Sequence, residues 1–202
     1  MNGNGSPNQT GQKKVLVING NPNLESFGSA LAAAYVSGAQ RSDTEVKTID
    51  IGKLEFDVNL PRAYESLPEL EPDLQEATDK ILWCDHMVWV HPIWWFSLPA
   101  RMKGFIDRVF LPGVTFKYEK GPIPKKLLSG KTGRIIATAD TPGFYYRMFL
   151  GSPATKQLKQ GTLQFCGVSP VRTTFIAPIR KSSDAFRENW LKKVERLGEK
   201  LI

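Results

Sequence analysis

The chain has 202 residues, a formal net charge of +7, two cysteines and two histidines. Its length and its 41% apolar content allow a hydrophobic core and exclude general disorder, while Cys84 and Cys166 are too few for a disulfide framework or a paired-thiolate zinc site and favour a reducing, cytoplasmic compartment. The sequence has no run of about 18 apolar residues that would predict a membrane-spanning helix, and no basic-then-apolar secretory signal pattern.

The first elements are a tail, a strand and a helix. Residues 1–12 are mainly Gly, Asn, Gln and Ser, which predicts a flexible tail ahead of one domain over residues 13–202. The apolar run at residues 15–18 is continuous, as in a strand of a parallel sheet that is covered on both faces. Ser26 then precedes residues 27–40, where apolar side chains recur every four positions, and it predicts the N-cap of a helix.

The same patterns continue along the chain, with irregular excursions at residues 52–72, 111–132 and 140–152. The remaining predicted strands are 45–51, 86–91, 133–139 and 170–178, and the remaining predicted helices are 73–83, 98–110, 153–166 and 183–202. Strands that alternate with helices predict an α/β fold, namely a doubly wound five-stranded parallel sheet of order 2-1-3-4-5 with helices on both faces. Ligands of such sheets bind beyond the carboxyl ends of the strands.

Three loops lie at that edge of the predicted sheet. The first, at residues 19–27, lacks both the dinucleotide fingerprint and the nucleotide-triphosphate P-loop. It still delivers Ser26 to a helix N-terminus, where free N–H groups favour a phosphate. Two interpretations remain open: Ser26 is only a helix cap, which is the commoner role, or the turn also holds a phosphate.

The other two loops are rich in aromatic residues. Residues 91–97 place Trp94, Trp95 and Phe96 side by side, either as an exposed wall for a flat ligand or as packing against the next helix. The loop at residues 139–150 carries Phe144, Tyr145, Tyr146 and Arg147. A tyrosine there can donate a hydrogen bond to a ligand and an arginine can meet a phosphate, although a core or lid role for one tyrosine is equally compatible.

The sequence contains no nucleophile–base triad, and metal ligation has little support. His86 lies inside an apolar strand, which indicates a structural role, whereas His91 ends that strand at the mouth of the expected site. The charge is divided unequally, because residues 1–100 have a net charge of −6 and residues 101–202 are strongly basic. With no basic arm, this division favours an anionic small ligand over a nucleic acid.

Three segments resemble one known family. HPIWWFSLPARMKGFIDRVF at residues 91–110 is similar to a loop and helix of the NAD(P)H:quinone reductases with a flavodoxin-like fold. VLVINGNPNLESFGSAL at residues 15–31 resembles the first strand and phosphate loop of that family, which usually has His where Asn21 stands. TLQFCGVSPV at residues 162–171 resembles its late helix and last strand.

The resemblance implies a flavin that takes hydride from NAD(P)H and passes two electrons to a quinone or similar acceptor, in ping-pong kinetics. FMN is favoured over FAD, because FAD-using members carry longer segments in the region that matches residues 52–72. The positions that the resemblance assigns to flavin binding are Asn21, Ser26, Phe27, Gly28, Pro92, Ile93, Trp94, Trp95, Phe96, Thr138, Ala139, Asp140 and Thr141.

The chain departs from the family pattern at two places. The usual Thr-Thr-Gly-Gly is replaced by residues 138–141, Thr-Ala-Asp-Thr, so that a carboxylate stands beside the expected ring. Tyr146 matches the tyrosine of a catalytic proton relay, but Ser152 stands where the family has the relay histidine. Arg147 or a water would then have to replace that histidine.

The resemblance also implies a homodimer, for which the aromatic loop and residues 111–132 are the candidate surfaces. Two other functions remain open: a flavodoxin-type electron carrier and a flavin-binding regulatory subunit. Electron carriers of that type are strongly acidic, and the sequence pI near 9.4 disfavours this alternative. A basic nucleic-acid-binding domain lacks any recognised motif.

Overall fold

The structure is a computed structural model that describes residues 11–60 and 68–201, so most of the predicted tail lies outside it. Five parallel strands form the main sheet in the order β2-β1-β3-β6-β7, which confirms the predicted topology. In chain order the strands are β1 (Lys13–Asn19), β2 (Thr44–Asp50), β3 (His86–Pro92), β4 (Phe116–Lys117), β5 (Lys125–Lys126), β6 (Thr132–Thr138) and β7 (Val171–Ile176). The predicted boundaries of a single domain remain a prediction.

Helices cover both faces of this sheet. They are α1 (Phe27–Gln40), α2 (Pro72–Trp83), α3 (Ala100–Val109), α4 (Gly143–Met148), α5 (Pro153–Lys156) and α6 (Asp184–Lys200). Apolar residues of α1 and α6 pack on one face, and those of α2, α3 and α5 pack on the other. Within the described ranges, no helix combines the length and apolarity that crossing a membrane requires.

The apolar run in β1 explains this double layer. Val15 and Val17 belong to the core beneath α1 and α6, whereas Leu16 and Ile18 belong to the core beneath α2 and α3. Successive strand side chains point to opposite faces, so a strand covered on both sides must be apolar at every position. All seven residues of β3 are buried for the same reason.

The described residues between β2 and α2, 51–60 and 68–71, are held against α3 by two arginines. The buried Arg108 donates hydrogen bonds to Glu71 Oε2 at 2.7 Å and to the backbone oxygen of Asp57 at 2.5 Å. Arg101 donates from Nε to the backbone oxygen of Ile51 at 3.0 Å. Since α3 starts shortly after the loop that follows β3, these contacts also fix that end of the sheet.

Three segments differ from the sequence prediction. Within residues 111–132, which were expected to be irregular, β4 and β5 form a short antiparallel pair. Residues 140–152 contain α4, which starts after Pro142, a residue suited to a helix start. The predicted helix 153–166 is α-helical at its two ends and a π-helix over Gln157–Gln164, a widening that tertiary packing rather than local sequence selects.

Candidate functional site

The loops after β1, β3 and β6 surround one cavity of about 210 Å³ at the carboxyl edge of the sheet. These three strands are neighbours in the sheet, and the strand order reverses between β1 and β3. Ligands of open α/β sheets bind at such a switch point. The residues that line the cavity are Asn21, Ser26, Phe27, Gly28, Pro92, Ile93, Trp94, Thr138, Ala139, Asp140 and Ile179. Ten of these eleven belong to the thirteen positions predicted from the sequence, and the other three, Trp95, Phe96 and Thr141, lie outside the lining.

The loop after β1 is fixed by side-chain hydrogen bonds and ends in a capped helix. Ser26 is the N-cap of α1, and its Oγ accepts from the backbone nitrogen of Ser29 at 3.1 Å. Asn21 Oδ1 accepts from the backbone nitrogen of Asn23 at 3.0 Å. The N–H groups of Phe27 and Gly28 donate to no described residue. Ser26 is therefore a helix cap, and the two amides beside it remain available to an anion.

The loop after β3 is a closed two-residue turn. Trp94 and Ser97 exchange backbone hydrogen bonds of 3.1 and 2.9 Å. The central residues, Trp95 and Phe96, have φ angles of 50° and 57°. Such left-handed conformations are uncommon for bulky residues and concentrate at functional sites. Trp95 is 97% exposed, so its ring does not serve the packing of the chain itself.

The loop after β6 is joined to the loop after β7. Asp140 Oδ1 accepts from the backbone nitrogen of Arg180 at 2.7 Å, and its Oδ2 lies 3.1 Å from Arg180 Nε. The backbone nitrogen of Ile179 donates to the carbonyl of Ala139 at 3.1 Å. Asp140 is therefore a paired carboxylate at the wall of the cavity, and it is the only titratable side chain among the described residues that line it.

Two contributors were missed in the sequence. Ile179 lines the cavity, and the guanidinium carbon of Arg187 lies 5.8 Å from the centre of the Phe27 ring. Both follow β7, which is the neighbour of β6 in the sheet. Ligand sites lie beyond the carboxyl ends of strands, and the loop after β7 is a fourth loop in such a position. The same rule could therefore have indicated these two residues from the sequence.

Tyr146, the residue that the resemblance assigns to catalysis, is not part of the cavity lining. It is 1% exposed, and its ring stacks on Phe175 with centroids 4.7 Å apart. Its hydroxyl accepts from the backbone nitrogen of Thr155 at 3.1 Å. This geometry favours a packing and positioning role, and the catalytic assignment remains a prediction. Arg147, its proposed relay partner, donates from Nε to the carbonyl of Gly143.

Neither histidine faces the cavity. His91 is completely buried; its Nδ1 donates to the carbonyl of Pro92 at 2.9 Å and its Nε2 has no partner. Burial lowers the pKa of His91 to about 4, and burial together with nearby cations lowers the pKa of His86 to about 4. Both imidazoles are therefore neutral at neutral pH. The open question about His91 is thus answered by its position, because a side chain inside the core cannot reach a ligand.

A second, larger cavity of about 450 Å³ lies on the α3 side of the sheet. Its walls come from α3, the β4 segment and the π-helix, and they include Phe110, Phe116, Tyr118 and Phe165. Ser97, at the end of the aromatic turn, donates to Gln157 Oε1 in this wall at 3.3 Å. The aromatic turn thus stands between the two cavities.

The lining can hold part of a flat, phosphate-bearing cofactor. At about 210 Å³ the cavity is smaller than the roughly 300–1,000 Å³ of sites that enclose small molecules, so a cofactor would extend over the exposed aromatic rim. The unpartnered N–H groups of Phe27 and Gly28 supply the donors that a phosphate requires. The residues present fit such a group.

Comparisons with known proteins agree with this fold. A family model described as the flavodoxin-like fold matches residues 13–201. The chain is 32% identical over 193 residues to the "FMN-dependent NADH:quinone oxidoreductase" of an Exiguobacterium species, covering 87% of this chain and 89% of the relative. It is 27% identical to an "Uncharacterized NAD(P)H oxidoreductase" of Haemophilus influenzae, covering 86% and 88%. The crystal structure of Smu.1420 from Streptococcus mutans superimposes with a TM-score of 0.80 at 31% identity, covering 93% of this chain and 99% of the other.

Proposed function

This chain belongs to the family with the flavodoxin-like fold, and from that membership and the site geometry we propose that it is a flavin-dependent NAD(P)H oxidoreductase. Its cofactor is FMN, and its acceptor is a quinone or a similar flat two-electron acceptor. The observation that carries the proposal is the meeting of free helix N–H groups, an aromatic turn and the end of β6 around one cavity. The name of the Exiguobacterium relative supports FMN and a quinone.

Each part of the lining has a distinct role toward FMN. The N–H groups of Phe27 and Gly28 would bind the phosphate, and the positive end of α1 together with Arg187 would favour its negative charge. Ile93, Trp94 and residues 138–140 of the lining would hold the ring. The flavin supplies hydride transfer, and the chain supplies binding, orientation and electrostatics.

The protein residues add little acid–base chemistry of their own. Both oxygens of Asp140, the titratable group of the lining, are engaged by Arg180, and the two histidines are buried and neutral. The nicotinamide and the acceptor would then use the same open side of the cavity in turn. This arrangement supports ping-pong kinetics, with a water at the open side as the source of protons.

We further propose that a second copy of the chain covers the exposed apolar surface next to the site. Trp95, Met148, Phe149 and Tyr118 are each more than two-thirds exposed, and Tyr118 borders the larger cavity. Large apolar side chains that are exposed to this degree favour an interface. Light scattering during size-exclusion chromatography should give twice the 22.6 kDa of one chain. A mass of one chain at micromolar concentration contradicts this part of the proposal.

The visible spectrum of the purified protein tests the function. We expect a yellow protein that bleaches anaerobically when NADH or NADPH is added and regains its colour with a quinone. A colourless protein that takes up neither FMN nor FAD contradicts the proposal, and uptake of FAD alone would correct the cofactor.

Two outcomes would favour the alternative functions. Bleaching by dithionite but not by NADH or NADPH would indicate an electron carrier. Reduction by a nicotinamide nucleotide without measurable turnover of any acceptor would favour a regulatory subunit. The pI near 9.4 argues against the carrier.

A further inference from the structure

Two arginines lie side by side on one face of the sheet, away from the cofactor cavity. Arg134 in β6 and Arg172 in β7 are register partners, so their side chains leave the sheet on the same face. This is the face covered by α1 and α6, because Ile136, two residues after Arg134 in β6, belongs to the core beneath those helices. Like charges on directly paired strand positions destabilise a sheet.

No described carboxylate compensates this pair of charges. Neither arginine forms an ion pair among residues 11–60 and 68–201. Arg134 is only 5% exposed; its Nη1 donates to Thr174 Oγ1 at 2.6 Å, and its Nε is buried without any partner. Burial lowers the pKa of the Arg134 guanidinium, while Tyr35 opposes this shift and Arg172 adds to it. A buried cation is costly unless it is paired, so binding of a negative group here would be favourable.

The surrounding groups are donors or neutral. Thr132 Oγ1 lies 2.7 Å from His86 Nδ1, and this imidazole is kept uncharged by burial and by Lys13, Arg134 and Arg172. Arg172 is exposed and Thr174 is half-buried, so the patch opens to solvent along the edge strand β7. The described groups at this place therefore offer positive charge and hydroxyl groups and no carboxylate.

We propose that the face of β6 and β7 between Arg134 and Arg172 binds a phosphate, either free or as the phosphate group of a nucleotide. A phosphate carries between one and two negative charges at neutral pH, which matches two guanidinium groups, and arginine recognises phosphate oxygens with paired donors. The site is separate from the cofactor cavity, because Arg134 precedes Thr138 by four strand residues, or about 13 Å at roughly 3.3 Å per residue.

An NMR titration of the full-length, ¹⁵N-labelled protein tests this proposal. Inorganic phosphate is added at pH 7 against chloride of matched ionic strength. We expect saturable shifts of the backbone amides of residues 132–134 and 172–174. Shifts that never saturate, or that are confined to residues 26–28 at the N-terminus of α1, overturn the proposal.

Variants identify the residues responsible. Arg172→Gln should weaken phosphate binding by at least about tenfold, the loss expected for one charge-assisted hydrogen bond. Arg196→Gln, an exposed arginine of α6 without a described partner, is the matched control and should bind as the parent does. Equal affinity of the Arg172→Gln variant and the parent overturns the proposal. Because Arg172 is exposed, its substitution leaves the fold intact, and a change in phosphate affinity can be attributed to the lost guanidinium.

Adenosine 5′-monophosphate and adenosine distinguish the two sources of phosphate. Tighter binding of the monophosphate than of inorganic phosphate, at the same amides, indicates a nucleotide, and equal binding indicates free phosphate. Adenosine alone should leave these amides unshifted. If adenosine shifts them as strongly as the monophosphate does, the phosphate is not the group recognised and the proposal fails.

Discussion

Trp95 combines nearly complete exposure with a conformation that tryptophan rarely adopts. An exposed side chain contributes little to folding, so the reason for a large aromatic ring at this position has to be a ligand or a second copy of the chain. The same turn presents its neighbour Trp94 to the cavity. The two tryptophans can therefore be tested separately from the stability of the fold.

Trp95→Ala should weaken the retention of FMN while changing the free energy of unfolding by less than about 0.5 kcal/mol, as is usual for exposed positions. Flavin content after dialysis and urea denaturation measure the two effects. Trp83→Ala is the opposite case, because Trp83 ends α2 at the other edge of the sheet and packs against the core, so this variant should lose stability and keep FMN. Unchanged flavin content in Trp95→Ala would show that this ring serves only an interface.

Asp140 and Arg180 should shift the flavin potential in opposite directions. Reduction adds negative charge to a flavin, so Asp140→Asn should raise the potential, and Arg180→Gln should lower it because the carboxylate then loses its partner. A change of roughly 30 mV corresponds to a tenfold change in the two-electron equilibrium. Dye-linked redox titration measures both variants. Shifts of the same sign would contradict the placement of this pair beside the ring.

The helix caps illustrate how one sequence signal serves two purposes. Ser26 caps α1 beside the cavity, and Ser183 caps α6 with the same type of bond, from the backbone nitrogen of Phe186 at 3.2 Å. A cap of this kind contributes about 1 kcal/mol to stability. The comparison of the two serines can therefore separate capping from ligand binding.

Both Ser26→Ala and Ser183→Ala should lower the free energy of unfolding by about 1 kcal/mol. Only Ser26→Ala should also weaken the binding of FMN, because the N-terminus of α1 that Ser26 caps carries the free N–H groups of Phe27 and Gly28. Chemical denaturation and fluorescence titration with FMN give the two numbers for each variant. Equal FMN affinities in the two variants would confine Ser26 to the role of a cap.

At the level of elements, the periodicity of apolar residues was sufficient to predict the main sheet but not the structure of the segments that connect its strands. The continuous apolar run of β1 and the strand-helix alternation predicted the observed strand order. The π-helix could not be predicted from the sequence, because the segment Gln157–Gln164 has ordinary helical spacing and the widening of the helix depends on tertiary contacts. Tyr146 was assigned by resemblance, and only the structure shows that its ring is buried and that its hydroxyl accepts a hydrogen bond from the Thr155 amide.

For the whole molecule, the two buried histidines predict acid sensitivity. The pKa of both is lowered to about 4 in the folded state, while an unfolded chain binds these protons near pH 6.5. Between these values the unfolded state binds more protons, so stability is lost as the pH falls from about 6.5 to about 4. The loss is on the order of 3 kcal/mol for each histidine.

Urea denaturation at several pH values measures this dependence. His91→Gln should reduce its slope between pH 6.5 and 4.5, because the variant has one protonation site fewer in the unfolded state. Substitution of Lys120, an exposed residue of the β4–β5 segment, by Gln should leave the slope unchanged. A parent protein whose stability is flat across this range would contradict the burial of neutral imidazoles.

The closed turn that carries Trp95 and Phe96 has a thermodynamic consequence for any ligand. Because two backbone hydrogen bonds already fix the turn, the aromatic wall is preorganised and loses little conformational entropy on binding. Turns of this shape prefer Asn followed by Gly. The double substitution Trp95→Asn and Phe96→Gly should therefore raise the free energy of unfolding and weaken the binding of the ligand. The fold and the ligand favour different residues at the same two positions.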